Sequence, residues 1–133
     1  VVIEDIFIRV FLGHLVGDFL LQSRAMALGK SEKGWNGHKW CTFHCVVYTL
    51  AVCLFAWTAN PLFIVLVFLS HWPIDRWSLT SYWLKLIRSR NLVGAYLSEE
   101  KFREFDIAFS AIVYTVADNT LHLVALWAIV NYI

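Results

Sequence analysis

Four apolar segments run through this chain, and each is interrupted by a polar pair at helical spacing: His14 with Asp18, His44 with Tyr48, His71 with Asp75, and Asp118 with His122. Residues four apart lie on one helix face, about 5 to 6 Å apart at Cβ. Each segment therefore offers a single two-pronged polar face on an otherwise apolar rod. The arrangement that satisfies all four faces at once is a bundle in which they point into a shared interior.

The surrounding composition makes those pairs expensive to place. Hydrophobic residues are 59% of the sequence, aromatics 17% and charged residues 16%, where soluble domains carry about 25% charged residues. Mean hydropathy is +0.62. This balance predicts an integral membrane protein, in which an ionisable side chain at bilayer depth costs roughly 2.5 to 3.5 kcal/mol and faces a protein interior or a wet cavity. Three of the five aspartates sit in the pairs. The formal charge of +1 excludes the strongly basic surface of a nucleic-acid binder.

A spanning helix needs about 20 mostly apolar residues, and 133 residues hold four of them with short connections. The segments fall at residues 3–23, 39–58, 61–75 and 105–133. The expected fold is all-α: one domain over 1–133, a bundle of four transmembrane helices. After the third span, Trp77, Tyr82, Trp83, Lys85 and Arg88 continue the pattern as an interfacial helical segment, because amphipathic aromatics and cations favour the headgroup layer. Pro73, between His71 and Asp75, predicts a kink or a freed Leu69 carbonyl. The apolar run 10–21, followed by Ala25-Met26-Ala27, imitates a secretory signal. Glu4 and Asp5 at the start, and His14 and Asp18 within the run, argue against that reading.

Lys and Arg gather in the first and third connections, and the 58–60 turn has none. Positive loops face the cytoplasm, so both termini are expected to face away from it, in a bacterial inner membrane. At about 1.5 Å rise per residue, the first three pairs then share the cytoplasmic half, with Asp118 and His122 nearer the midplane. That agreement predicts one pocket open to the cytoplasm. Gly13 and Gly17 add a small-xxx-small notch beside it. Arg9 is paired, on this reading, with Asp5 at i,i+4.

The segments HLVGDFLLQ (14–22), HCVVY (44–48), HWPID (71–75) and DNTLH (118–122) resemble, in order and spacing, the small bacterial and phage membrane proteins of domain-of-unknown-function family 3307. The resemblance spans almost the whole chain, and its first motif is the most specific. The family often has Gln at the position of Asn119 and Lys after the third motif, where this chain has Arg76 and Trp77. It implies a membrane protein with the His/Asp set intact, but supplies no established activity.

Imidazoles and carboxylates suit zinc, manganese or iron, and an open coordination position lets such a metal activate water. The candidate ligands are His14, Asp18, His44, His71, Asp75, Asp118 and His122, enough for one ion or two. Asp18, Asp75 and Asp118 are the candidate catalytic carboxylates, with Gln22, Tyr48 and Tyr114 as orienting groups. Arg24, Lys39 and Arg76 are candidates to hold a phosphate headgroup. These residues fit an intramembrane metal-dependent hydrolase acting on a membrane lipid or a lipid-linked substrate. A non-enzymatic protein that binds or carries metal ions or protons remains an alternative, as does a structural subunit of a membrane assembly, alone or oligomeric. A haem bundle fits less well, since carboxylates beside each His leave no apolar slot. Cys41, Cys45 and Cys53 lack metal-site spacing, although Cys41 lies one turn from His44. His38 has no acidic partner four residues away and is expected at the interface rather than in the site.

Overall fold

Residues 3–133 are described in a computed structural model. The described residues are helical with no strand. The first helix, α1 (Ile3–Leu15), runs on through a π-helical turn (Val16–Leu20). It is followed by α2 (Arg24–Gly29), α3 (Gly34–Ala56), α4 (Pro61–Arg76), α5 (Leu79–Arg88), α6 (Leu92–Leu97) and α7 (Arg103–Tyr132).

Local chemistry sets the boundaries. The Ser23 hydroxyl accepts the Met26 N–H at 3.2 Å and starts α2, as N-cap serines do. Trp57 ends α3 in the left-handed region at φ 57. Asn60 Oδ1 accepts the Leu62 N–H at 2.9 Å, with Pro61 in the first turn of α4, which a proline tolerates because that N–H has no partner anyway. Asn91 caps α6 through the N–H groups of Val93 and Gly94.

The four long helices pack in a ring, α1 on α3, α3 on α4, α4 on α7, and α7 back on α1. Close approach of α1 to α3 depends on Gly13, where a Cβ would stand 2.8 Å from the Val52 Cα and 3.1 Å from the Ala51 carbonyl oxygen. At Gly17 it would stand 2.8 Å from the Tyr48 ring. Both glycines are packing notches. The start of α1, the end of α7 and the Trp57–Asn60 turn lie at one end of the ring; α2, α5 and α6 lie at the other.

α3 and α7 are long and apolar enough to cross a membrane, and α4 with α5 makes a third candidate if that bent pair is one span. α1 is interrupted by Glu4, Asp5, Arg9 and Asp18. Pro73 lies inside α4; the sharp bend, 58°, comes later, between α4 and α5, where Ser78 takes left-handed φ 49. The chain therefore turns sharply at Ser78. Arg9 makes no ion pair with Asp5 among the described residues; both side chains are exposed.

Candidate metal centre

Helical register stacks the interior into layers. Val10, Val52, Val67 and Leu126 form an apolar layer, each at most 1% exposed. One turn further along each helix come His14, Tyr48, His71 and His122, and one turn beyond that Asp18, His44, Asp75 and Asp118. α1 and α4 run toward the acidic layer while α3 and α7 run away from it, so the steps are +4 on the first two and −4 on the others. α3 differs from its neighbours in a way the spacing alone did not reveal. It puts a phenol where the others put histidine, and a histidine where they put aspartate.

The middle layer is a closed ring of aromatic contacts. Tyr48 stacks on His71 with centroids 3.6 Å apart, and His71 on His122 at 4.1 Å. His14 reaches both Tyr48 and His122 at 5.7 Å. The ring separates the acidic layer from the apolar one.

His14 has both ring nitrogens occupied. Its Nε2–H donates to Asn119 Oδ1 at 2.7 Å, and Asn119 in turn donates its Nδ2–H to the Thr115 carbonyl at 2.7 Å. That amide orientation fixes the proton on Nε2, leaving Nδ1 to accept the Tyr48 hydroxyl at 3.0 Å. Nδ1 also lies 3.3 Å from Asp18 Oδ2. Neither group of side chains at metal-ligand spacing includes His14.

Four ligand atoms converge in the acidic layer. His44 Nε2 lies 3.1 Å from His71 Nε2, 3.2 Å from Asp18 Oδ1 and 3.3 Å from Asp75 Oδ2. His71 Nε2 lies 3.6 Å from Asp18 Oδ1 and 3.4 Å from Asp75 Oδ2. Asp18, His44 and His71 each offer one ligand atom, all within 4.8 Å of one another, a spacing at which three side chains can share an ion and leave a coordination position open. Asp18 Oδ1 and the outer Nδ1 atoms of both histidines are buried without a hydrogen-bond partner.

A second group, His71, Asp75 and His122, also meets metal-ligand spacing. An imidazole nitrogen has one lone pair, so His71 Nε2 can join only one of the two sets at a time. His122 Nε2 stands 3.2 Å from Asp75 Oδ1 and 3.6 Å from Asp118 Oδ2. Asp118 is steered by Thr80, whose hydroxyl donates to Asp118 Oδ1 at 2.6 Å. Its side chain is 22% exposed.

A cleft of about 300 Å³ leads in to this layer, lined by Asp18, Asp75 and Asp118, with Gln22 and Tyr114 on its walls. The cation that lines it is Lys30, which donates to Asp75 Oδ2 at 2.6 Å. Burial works against the ammonium, but the Asp75 carboxylate outweighs it, and the Lys30 pKa is raised above the ordinary lysine value. The headgroup candidates are elsewhere. Arg76 donates to His38 Nδ1 at 3.0 Å and to the Gly34 carbonyl at 3.3 Å, while Arg24 and Lys39 are exposed outside the cleft. His38, stacked on Trp72, is outside the site. Cys41 faces the Trp72 carbonyl at 3.9 Å as a buried thiol.

Lys30, Thr80 and Asn119 escaped the sequence reading. Lys30 and Thr80 have no partner at helical spacing, since their contacts join positions 45 and 38 residues apart. Asn119 was visible, one residue from Asp118, but only the packing of α7 on α1 shows which way its amide faces.

A family model described as "Protein of unknown function (DUF3307)" matches residues 6–133. No curated protein and no solved structure matches the chain.

Proposed function

We propose, for a chain that belongs to the DUF3307 family of proteins of unknown function, that it is an intramembrane metal-dependent hydrolase acting on a lipid or lipid-linked substrate. The observation that carries this reading is the convergence of Asp18, His44 and His71 at metal-ligand spacing beneath an open cleft. In this reading α1, α3, α4 and α7 all cross the bilayer and α5 lies in the headgroup layer, exposing Tyr82, Trp83, Leu86 and Ile87. Outward side chains such as Leu50, Leu54, Ile112 and Val124, each more than half exposed, suit contact with lipid tails. The basic connections lie at the cleft end, which by the positive-inside rule faces the cytoplasm of a bacterial inner membrane.

A divalent ion, zinc, manganese or iron, would be held by Asp18, His44 and His71, with Asp75 beside them at 3.3 Å from His44 and 3.4 Å from His71, and in the position left open it would supply a water of lowered pKa. Asp118, which lines the cleft between Thr80 and His122, would accept a proton from the attacking water. Thr80 holds that carboxylate in place. Lys30, which donates to Asp75 Oδ2 at 2.6 Å, brings positive charge to the mouth of the site.

The carrier reading is weakened by the apolar layer. Val10, Val52, Val67 and Leu126 are buried side by side, and a path for ions needs polar groups through the whole thickness.

Metal analysis of the purified protein tests the proposal. Wild type is expected to hold bound divalent metal, and Asp18→Asn and Asp75→Asn to lose it. Asp118→Asn is expected to keep the metal but lose hydrolysis of membrane lipid extracts. A wild type that is metal-free and gains none on reconstitution sinks the hydrolase; a metal-loaded protein inert toward lipid extracts but active in proteoliposome uptake would make it a carrier.

A further inference from the structure

Next to the acidic cleft is a second, larger chamber of about 450 Å³ whose charge is of opposite sign. The two share Ser31, Ser78 and Tyr114 as common walls. Beyond those walls the lining carries Lys85 and Arg90 together with Ser81 and Ser110, and no carboxylate. The acidic cleft, by contrast, is lined by three aspartates.

Arg90 is built into place. Its Nη1 donates to the buried Ser110 hydroxyl at 2.9 Å and to Asp106 at 3.3 Å, and its guanidinium lies over the Phe109 ring at 4.8 Å. Asp106 is about half exposed, with 54% of its side chain accessible, and offsets only part of the positive charge. A guanidinium held by a hydroxyl and an aromatic face loses little freedom on binding an anion, and its planar fork matches phosphate oxygens. The chamber's position fits a substrate that places one group over the aspartates and another beside Arg90.

We propose that this chamber is an anion subsite that takes the phosphate group of a phosphorylated substrate, with Arg90 and Lys85 as its principal contacts. The inference rests on the hydrolase reading for what that phosphate belongs to. The site itself is independent of the metal. It also relocates the headgroup contact from Arg24, Lys39 and Arg76 to the α5–α7 side of the cleft mouth.

The test uses the full chain in phosphatidylcholine nanodiscs, titrated with inorganic phosphate, and the same discs doped with phosphatidic acid and read by phosphorus NMR. Wild type is expected to bind at least one form of phosphate, and Arg90→Gln and Lys85→Gln each to weaken it about tenfold, the scale of losing one charge-assisted contact. Arg90→Lys is expected to fall between, since it keeps the charge and loses the fork. Binding of both forms assigns the site to phosphate in general, and binding of the lipid alone to a headgroup. If Arg90→Gln fails to fold, Lys85→Gln, exposed on α5, carries the measurement. Absence of binding to either form, or unchanged affinity in the variants, overturns the proposal. Metal content, measured on the same samples, is expected to be unchanged in these variants; phosphate binding by a protein that holds no metal would reject the hydrolase and leave this subsite standing.

Discussion

The imidazole of His14 owes its tautomer to an amide on another helix. Asn119 Oδ1 requires a proton on Nε2, so Nδ1 must accept, and Tyr48 supplies the hydroxyl. Tyr48→Phe leaves Nδ1 buried without a donor, and the ring cannot swap tautomers while Asn119 holds the other nitrogen. Unfolding in detergent is expected to be easier by roughly 1–3 kcal/mol, the usual penalty for an orphaned buried acceptor. Asn119→Leu leaves the Nε2–H buried without its acceptor and is expected to cost a similar amount, roughly 1–3 kcal/mol, in the same unfolding measurement. Lys30 gives a test in pH. Its pKa is raised in the folded protein, so its stabilising contact with Asp75 is fully present below the ordinary lysine range and is lost as pH rises through the higher folded value. Thermal unfolding measured between neutral and strongly alkaline pH is expected to show that alkaline loss in wild type and a smaller one in Lys30→Met.

Among the elements, the π-helical turn at Val16–Leu20 matters most to the site. π turns insert an extra residue into a helix and recur at functional sites; here Asp18 lies within one. The i,i+4 spacing of His14 and Asp18 was legible in the sequence and assumed a regular helix. The π turn keeps that contact, at 3.3 Å, while bringing Asp18 Oδ1 within 3.2 Å of His44. Nothing in VGDFL signals an extra residue, because the wider turn is sustained by packing against α3. Deleting Phe19 is expected to restore a regular helix and abolish metal binding while helicity, read by circular dichroism, stays near wild type. Gly13 offers a different test, since the atoms facing its missing Cβ are backbone and cannot rotate away. Gly13→Val is expected to destabilise the bundle by about 1–3 kcal/mol or more through overpacking. The α4–α5 bend was legible only as a change of pattern after Asp75. The left-handed turn at Ser78 has no strong signature in Trp77-Ser78-Leu79.

At the scale of the whole molecule, the helical segments and the His/Asp periodicity could be read from the chain because both depend on residues four apart. The layer order could not, since it depends on which helices run antiparallel and how far each is shifted along its neighbour. That shift sets His44 level with the aspartates, whereas the HCVVY spacing alone made it the weakest pair. An ion held by Asp18, His44 and His71 would tie the π-helical turn to α3 and α4, and ligand binding to the folded state raises its stability by mass action. A chelator is therefore expected to lower the melting temperature of wild type and leave that of Asp75→Asn unmoved, as followed by thermal scanning.

The valine and leucine floor beneath the histidine ring has a kinetic corollary. A site stoppered at its inner end has one doorway, through which reactant must arrive and fragments must depart. Turnover would then slow as spent material accumulates at that threshold, and the slowing would be relieved by raising reactant concentration.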